Sequence, residues 1–286
     1  MVGVWTIALG CTDVSVRTDV SYDDRFGADV LDVYMPPDAG VPRPAVLVIH
    51  GGGWTEGVDR SSTADVAQRL AGAGYVAVNI EYRLTPNGGQ FPHAVQDCFC
   101  ALAWMRAHAS ELGLDPLRIA GLGYSAGGHL VSMLGTSAAD PGVAPDCVAG
   151  PAAPLAAVVS GAGPQDMTSL LQVGPVIDFV GGSKDAVPEK YAEASPITHV
   201  APGDPPFLFI HGDNDWFVPI SNAHRMQAAL DGVGTMTRLL EIPGGGHIWN
   251  RGANGGDWEL PLTSLDTPEA QAAMIDFLDH TIGPPP

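Results

Sequence analysis

The sequence predicts an α/β protein: a mostly parallel central sheet flanked by helices. Three observations lead there. Short apolar runs alternate with helix-length periodic stretches along most of the 286 residues. Ala45-Val-Leu-Val-Ile49 and Phe207-Leu-Phe-Ile210 are apolar at every position, as strands covered on both faces must be. Polar, glycine-rich strings follow the strand ends at 50–54, 123–127, 211–215 and 244–247, and functional groups in such sheets collect at the carboxyl ends of strands.

In chain order, residues 14–20 and 28–35 alternate well enough to be opening strands, with 21–27 as the turn and Pro36-Pro37 as the stop. Residues 45–49 form a strand, 62–71 a helix and 75–80 a strand. Residues 92–110 read as one long helix with Pro92 in its first turn, where a missing N–H costs nothing. A strand at 118–124 runs into a tight turn and a helix from 128. Residues 138–154 are loop, 155–160 strand, and 163–206 a stretch of broken short helices with no long period, too short for a large cap. A strand at 207–210, a helix at 221–230 and a strand at 235–242 follow. Residues 267–280 close the chain as an amphipathic helix with Thr267 as N-cap and Glu269 in the first turn. No internal repeat is visible, and 1–286 reads as a single domain.

Composition excludes several classes. Against 32 acidic residues stand only 13 basic ones, a net charge of −19, which disfavours nucleic acid and anionic membrane surfaces as partners. The acidity reads as a solubilising surface rather than as adaptation to salt. No run reaches the ~18 apolar residues of a membrane span. Residues 1–11 end in Ala8-Leu-Gly-Cys11, like a lipoprotein cleavage site but without a basic start. They are expected to be an ordinary N-terminal segment or the remnant of a trimmed signal, on a protein that is soluble and either cytoplasmic or secreted. Cys98 and Cys100 lie two apart on a helix, point to different faces and cannot readily bridge each other, so both read as small core residues. Cys11 and Cys147 lie in loop-like stretches, and nothing in the sequence pairs them. The nine histidines include no His-x-x-x-His, and there is no Cys-x-x-Cys, so neither a metal nor another cofactor is expected.

Gly123-Tyr-Ser-Ala-Gly127 places G-x-S-x-G between a strand and a helix. Such a turn is tight enough that side chains two before and two after the serine would strike neighbouring backbone. It lifts Ser125 clear of the sheet, at the positive end of the next helix. The plain alternative is a serine in an ordinary turn, since a chain with 36 glycines forms this string by chance. Acyl transfer by serine further needs a base, an acid to orient it, and donors for the oxyanion. His247, after a strand and a flexible Gly244-Gly-Gly246 lead, fits the base. Asp213 and Asp215 in His211-Gly-Asp-Asn-Asp215 are both candidates for the acid, and either puts the residues in the order Ser, Asp, His. His129, His199 and His211 read as packed or loop-stapling. Residues 50–54 lack the Lys-Ser/Thr that a phosphate-cradling loop carries.

With HGGGW at 50–54, EYRL at 81–84, GYSAGGHL at 123–130, SPITHV at 195–200, HGDNDWFVP at 211–219 and GGGH at 244–247, the chain resembles the α/β-hydrolase-fold serine esterases. Among these it is similar to the bacterial feruloyl/acetyl-esterase-like group and the hormone-sensitive-lipase-like esterases. The resemblance implies the α/β-hydrolase fold and ester hydrolysis through an acyl-serine, without cofactor. The family's Asp-x-x-Val-Pro spacing picks Asp215 as the acid. The resemblance also implies oxyanion donors on the backbone of Gly52, Gly53 and Ala126, and a loop-shaping role for His50. Trp54, Trp216 and Phe217 flank the proposed site as pocket walls or as ordinary core aromatics, and Trp54 and Trp216 are expected as pocket walls. Two departures stand out: Glu81 where the family often has Asp, and Thr85-Pro86-Asn-Gly-Gly89 where it often has Pro-Glu. Without a lid-sized insertion, the cleft is expected to be open and to take small-molecule esters of short acyl groups, acetyl or feruloyl groups on plant polysaccharide among them. The same machinery could cut an amide, as arylformamidases and peptidases of this fold do. A non-catalytic binding protein on the same scaffold is the rival from another class, and the intact Ser125, Asp215 and His247 argue against it.

Overall fold

The computed structural model describes residues 13–25, 29–55, 57–151, 153–247 and 267–286. The chain opens with β1 (Ser15–Ser21), β2 (Val30–Met35) and β3 (Arg43–Ile49), followed by α1 (Ala64–Gly72) and β4 (Val76–Ile80). Next come α2 (His93–Ala107), α3 (Ala109–Leu112), β5 (Leu114–Tyr124) and α4 (Ala126–Thr136). A two-residue ladder, β6 (Asp146–Cys147) with β7 (Gly150–Pro151), precedes β8 (Ala157–Gly161). Short helices α5 (Gly174–Val180) and α6 (Pro188–Glu193) lead to β9 (Phe207–Gly212), α7 (Ser221–Gly232), β10 (Thr237–Ile242) and α8 (Pro268–Thr281).

Among the described residues, eight strands form one sheet in the order β1-β2-β4-β3-β5-β8-β9-β10. The pairs β1/β2 and β2/β4 are antiparallel and every later neighbour is parallel, which is the α/β-hydrolase arrangement. The apolar runs read as doubly covered strands are just that: Ala45 to Ile49 and Phe207 to Ile210 are all buried. Ala45, Leu47 and Ile49 join the core beneath α2, α4 and α7. Val46 and Val48 join the opposite core, under α1 and α8. A side-chain period of two thus feeds two separate apolar layers from one strand.

Several boundaries differ from expectation for local reasons. The helix expected over 92–110 divides at His108, and α3 ends on Gly113 in the left-handed region at φ 63°. β5 begins earlier than 118 because Leu114 already pairs with Arg43 ahead of a register shift. The stretch 163–206 is indeed a set of short helices and 3-10 turns. Thr267 caps α8, accepting from Ala270 N–H at 3.1 Å.

The cysteine reading needs correction. Cys100 is not a plain core residue but is bonded to Cys147, with Cα atoms 5.1 Å apart, so α2 is tied to the β6–β7 ladder. Spacing on α2 shows which face Cys100 occupies, but not that the 138–154 loop folds back onto that face. Cys98 is buried and free. The reading of residues 1–11, Cys11 included, lies outside the described residues. Among the described residues, no helix is long and apolar enough to cross a membrane.

Candidate active site

Ser125 sits between β5 and α4 with φ 53° and ψ −118°, a backbone conformation that few non-glycine residues adopt. The two flanking glycines explain how the turn closes. A Cβ on Gly123 would lie 2.2 Å from the Gly127 oxygen, and one on Gly127 would lie 2.1 Å from the Ile49 oxygen. Neither position has room for a side chain, because β5, the first turn of α4 and the end of β3 touch backbone to backbone there. The Ser125 N–H donates to the Gly161 oxygen at 2.8 Å, anchoring the turn to β8. Ala126 is the first residue of α4, so its N–H is one of four that the helix leaves unused.

The Ser125 hydroxyl lies 2.9 Å from His247 Nε2, and His247 Nδ1 lies 2.7 Å from Asp215 Oδ2. Neighbouring parallel strands bring these residues together. Gly212 at the end of β9 pairs with Ile242 at the end of β10, so the two following loops start side by side. They are then joined by backbone bonds, Asp213 N–H to Ile242 at 3.2 Å and Asn214 N–H to Gly245 at 2.9 Å. Asp213 turns away from His247 and accepts from Gly244 N–H at 2.6 Å, so it holds the histidine's loop in place rather than the imidazole. Sequence reading treated Asp213 only as a rival acid. The three-glycine lead at 244–246, with free N–H groups to hold, was the available signal for this second role.

The Asp215 side chain is fully buried. Its Oδ1 accepts from the N–H groups of Phe217 at 2.9 Å and Val218 at 2.8 Å, leaving Oδ2 for His247. Burial pushes the carboxyl up, but hydrogen bonds from His211 and His247 and from the Val218 N–H outweigh it and hold it at about 2. An ionised Asp215 can only accept, so Nδ1 of His247 carries the proton and Nε2 presents its lone pair to Ser125. His211 is buried, donates from Nε2 to the Val218 oxygen at 2.8 Å, and lies 3.3 Å from Asp215.

The 50–54 loop packs against the serine: a Cβ on Gly51 would lie 3.5 Å from Ser125 Cβ. Gly52 and Gly53 have φ of 100° and 62°, and the Thr55 N–H closes the turn onto the Gly52 oxygen at 3.2 Å. His50 is buried, with Nδ1 2.8 Å from the Gly51 oxygen, Nε2 2.9 Å from Glu81 Oε1, and its ring stacked on Tyr82 at 4.4 Å. Glu81 also accepts from the Arg60 N–H at 3.1 Å, so the residue that departs from the family pattern ties the loop to the start of the next helix.

Trp54 departs from its expected place in the pocket wall. It is 2% exposed, stacks on Phe179 of α5 at 4.4 Å and meets the edge of His129 at 5.2 Å, supporting the glycine loop from beneath. Phe179 carried no sequence signal, because seven-residue α5 is too short to show a period. Burial pulls the His129 ring down to about 4, and its Nε2 donates to the Ala194 oxygen at 2.7 Å. Trp216 is 71% exposed and packs edge-on against Phe217, which lies 5.1 Å from the His247 ring. Among the described residues, no group of three or more His, Cys, Asp or Glu side chains could hold a metal ion.

A model of the BD-FAE family matches residues 31–230, a segment holding the glycine loop, Ser125 and Asp215. The chain belongs to the BD-FAE family. The matched segment ends short of His247, which the fold brings back to Ser125. Among curated proteins, this BD-FAE chain is similar to esterase LipC of Mycobacterium tuberculosis, at 35% identity over 240 residues covering 81% of the chain and 59% of LipC. The chain spans between about half and three-fifths of the length of the first curated relatives it matches. Among solved structures, a truncated carbohydrate esterase from gut microbiota shares the BD-FAE chain's fold, with a TM-score of 0.80, 24% identity and coverage of 94% and 96% of the two chains. An acetyl ester-xyloside bifunctional hydrolase from Caldicellulosiruptor lactoaceticus superposes with a TM-score of 0.71 at 25% identity, covering 89% of this chain and 88% of that one.

Proposed function

We propose that the chain is a carboxylic-ester hydrolase that works through an acyl-serine intermediate, with Ser125 as nucleophile, His247 as general base and acid, and Asp215 as the orienting carboxylate. The observation that carries this reading is the hydrogen-bonded series from Ser125 through His247 to Asp215, with distances of 2.9 and 2.7 Å. His247 Nε2 accepts the serine proton as Oγ attacks the ester carbonyl. The buried carboxylate stabilises the imidazolium that forms. The same nitrogen then returns the proton to the departing alkoxide, and water repeats the cycle on the acyl-serine. The backbone N–H groups of Gly52, Gly53 and Ala126 serve as oxyanion donors, and the dipole of α4 adds to them.

The substrates are esters of short acyl groups such as acetyl, or of the feruloyl group, with such esters on plant polysaccharide as the natural class. Family membership supports that class, as do a carbohydrate esterase and an acetyl ester-xyloside hydrolase of the same fold. The test is a panel of p-nitrophenyl esters of rising chain length, run with a feruloyl ester and an aryl amide on wild type and Ser125→Ala. Ester turnover that Ser125→Ala abolishes supports the reading. Turnover surviving in that variant, or amide cleavage outpacing ester cleavage, overturns it.

A further inference from the structure

His50, which opens the glycine loop, has a hydrogen-bonding pattern that a neutral imidazole cannot satisfy. Its ring is fully buried and both nitrogens face oxygen: Nδ1 lies 2.8 Å from the Gly51 carbonyl and Nε2 lies 2.9 Å from Glu81 Oε1. A carbonyl only accepts, so Nδ1 carries a proton. The other Glu81 oxygen accepts from the Arg60 N–H at 3.1 Å and lies 3.8 Å from the Arg60 guanidinium, surroundings that favour the ionised carboxylate. An ionised carboxylate also only accepts, so Nε2 carries a proton as well. Turning the ring over would set carbon against both oxygens, so this orientation alone makes the two bonds. Tyr82 stacks on the ring with centroids 4.4 Å apart, giving the cation an aromatic face, and its hydroxyl lies 3.4 Å from the Gly51 oxygen.

From this pattern we infer that His50 is an imidazolium paired with the Glu81 carboxylate, and that it strengthens the oxyanion site by polarising the peptide between Gly51 and Gly52. The inference rests on the proposed serine mechanism. The Gly51 C=O and the Gly52 N–H belong to one conjugated peptide group, so a charged donor on the oxygen draws electron density from the N–H and makes it a stronger donor in turn. That N–H is one of the three proposed for the oxyanion. The peptide lies beside the nucleophile, since a Cβ on Gly51 would be 3.5 Å from Ser125 Cβ. The order of the charges also favours an anion there: the imidazolium touches the loop, and Glu81 lies on the far side of the ring. His50 and Glu81 are therefore positioning residues that act through the Gly52 N–H rather than on the ester itself.

Glu81→Gln separates charge from shape. The Arg60 N–H needs an oxygen opposite it, which turns the glutamine NH2 toward His50 Nε2. That nitrogen then accepts with its lone pair, Nδ1–H still donates to Gly51, and the ring is neutral. The hydrogen bonds survive while the charge is gone.

With p-nitrophenyl acetate, kcat and kcat/KM of Glu81→Gln should both fall about tenfold with KM within about twofold, the pattern of an interaction made only in the transition state. Removing an oxyanion donor outright costs about 10²–10³, and this variant weakens one without removing it. Glu81→Asp keeps a carboxylate and should retain kcat within about threefold. Asp38→Asn, in an exposed turn, should leave both constants within about twofold. Phenylboronic acid forms a negatively charged tetrahedral adduct on a catalytic serine, and its inhibition constant should rise about tenfold in Glu81→Gln. Nitrogen-15 NMR of histidine-labelled wild type, at the pH of the assay, should show one exchange-protected ring with protons on both nitrogens, and Glu81→Gln should remove one of the two. Wild-type kcat in Glu81→Gln, an equal loss in Glu81→Asp, or the absence of a protected doubly protonated ring in the wild type overturns the inference. Failure of the serine mechanism is a different result, turnover persisting in Ser125→Ala.

Discussion

Replacing Asp215 with Asn tests the proposed mechanism at its least exposed point. Oδ1 of Asp215 is held by the N–H groups of Phe217 and Val218, at 2.9 and 2.8 Å. An Asn at this position keeps both bonds only if its carbonyl oxygen occupies the Oδ1 site, which turns its NH2 toward His247. Nδ1 of His247 must then accept instead of donate, so the proton moves to Nε2 and points at Ser125. The base is lost while its shape is kept. The expected result is a fall in kcat of about 10⁴ with KM within a few-fold. Asp213→Asn retains an acceptor for Gly244 N–H and should cost less than about tenfold. A stopped assay on p-nitrophenyl acetate measures both. An Asp215→Asn variant with a tenth of wild-type kcat, or an Asp213→Asn variant that loses more, would falsify the assignment. The same carboxylate sets an acid limit on stability. Its folded value of about 2 lies below the ordinary 3.8, so the unfolded chain takes up the proton first as pH falls. The stabilisation is fully present above about pH 4, is lost on the way down to pH 2, and amounts to roughly 2 kcal/mol. Urea midpoints across that window should fall more steeply for wild type than for Asp215→Asn.

Ser125→Ala and His247→Ala should each lower kcat by four to six orders of magnitude (about 10⁴–10⁶), and the double variant should be little worse than either, because the pair acts as one unit. Additive losses in a direct assay would argue against that coupling. Gly127→Ala drives a Cβ to within 2.1 Å of the Ile49 oxygen and should cost about 3 kcal/mol or more, read as a lower denaturation midpoint; a wild-type midpoint would mean the backbone there can yield. Ser125→Gly relieves the φ of 53° and should raise stability by about 1 kcal/mol while abolishing turnover, and a loss of stability would show that the hydroxyl contributes more to folding than the strain costs. Cys147→Ala opens a link spanning 47 residues, which by chain entropy contributes up to about 4 kcal/mol, so melting should fall by on the order of 10 °C with kcat within about twofold; an unchanged melting temperature would show that the link does not stabilise the fold.

What could be read from the sequence was what local geometry dictates. A run apolar at every position is a doubly covered strand whatever else the chain does, and β3 ends at Ile49 as expected, although it begins two residues earlier, at Arg43. Five residues suffice to demand the turn at Ser125, because the clash that excludes side chains at 123 and 127 involves the turn itself and the strand beside it. Partners that meet across the fold were less legible. The helical period places Cys100 on a face of α2, yet nothing local says that Cys147 folds back to it. Trp54 follows three glycines in a loop expected to border the pocket, and only the packing of Phe179, 125 residues later in the chain, determines that the indole goes inward. The second function of Asp213 was hidden for the same reason. Which of two aspartates reaches an imidazole depends on the pairing of β9 with β10.

Among the described residues, three of the four non-glycine residues with positive φ share one edge of the sheet; the fourth, Asp19, lies at the register shift in β1. Trp54, Ser125 and Ala162 have φ of 60°, 53° and 42°, and they follow the ends of β3, β5 and β8, which are consecutive neighbours in the sheet. Each is held by a backbone bond that relaxation would break or bend. The Trp54 oxygen accepts from Thr85 N–H at 2.8 Å, Ser125 N–H donates to Gly161 at 2.8 Å, and Ala162 N–H donates to Ile210 at 2.9 Å. A non-glycine residue in this region costs about 1–3 kcal/mol, so three of them carry several kcal/mol of local strain. Buried parallel strands below can bear that load, since all of β8 and nearly all of β3 lie inside the core. The arrangement puts rigid support under the turn that presents the serine and under the loop whose N–H groups are proposed as oxyanion donors. Those are the two parts whose relative position an oxyanion site can least allow to drift.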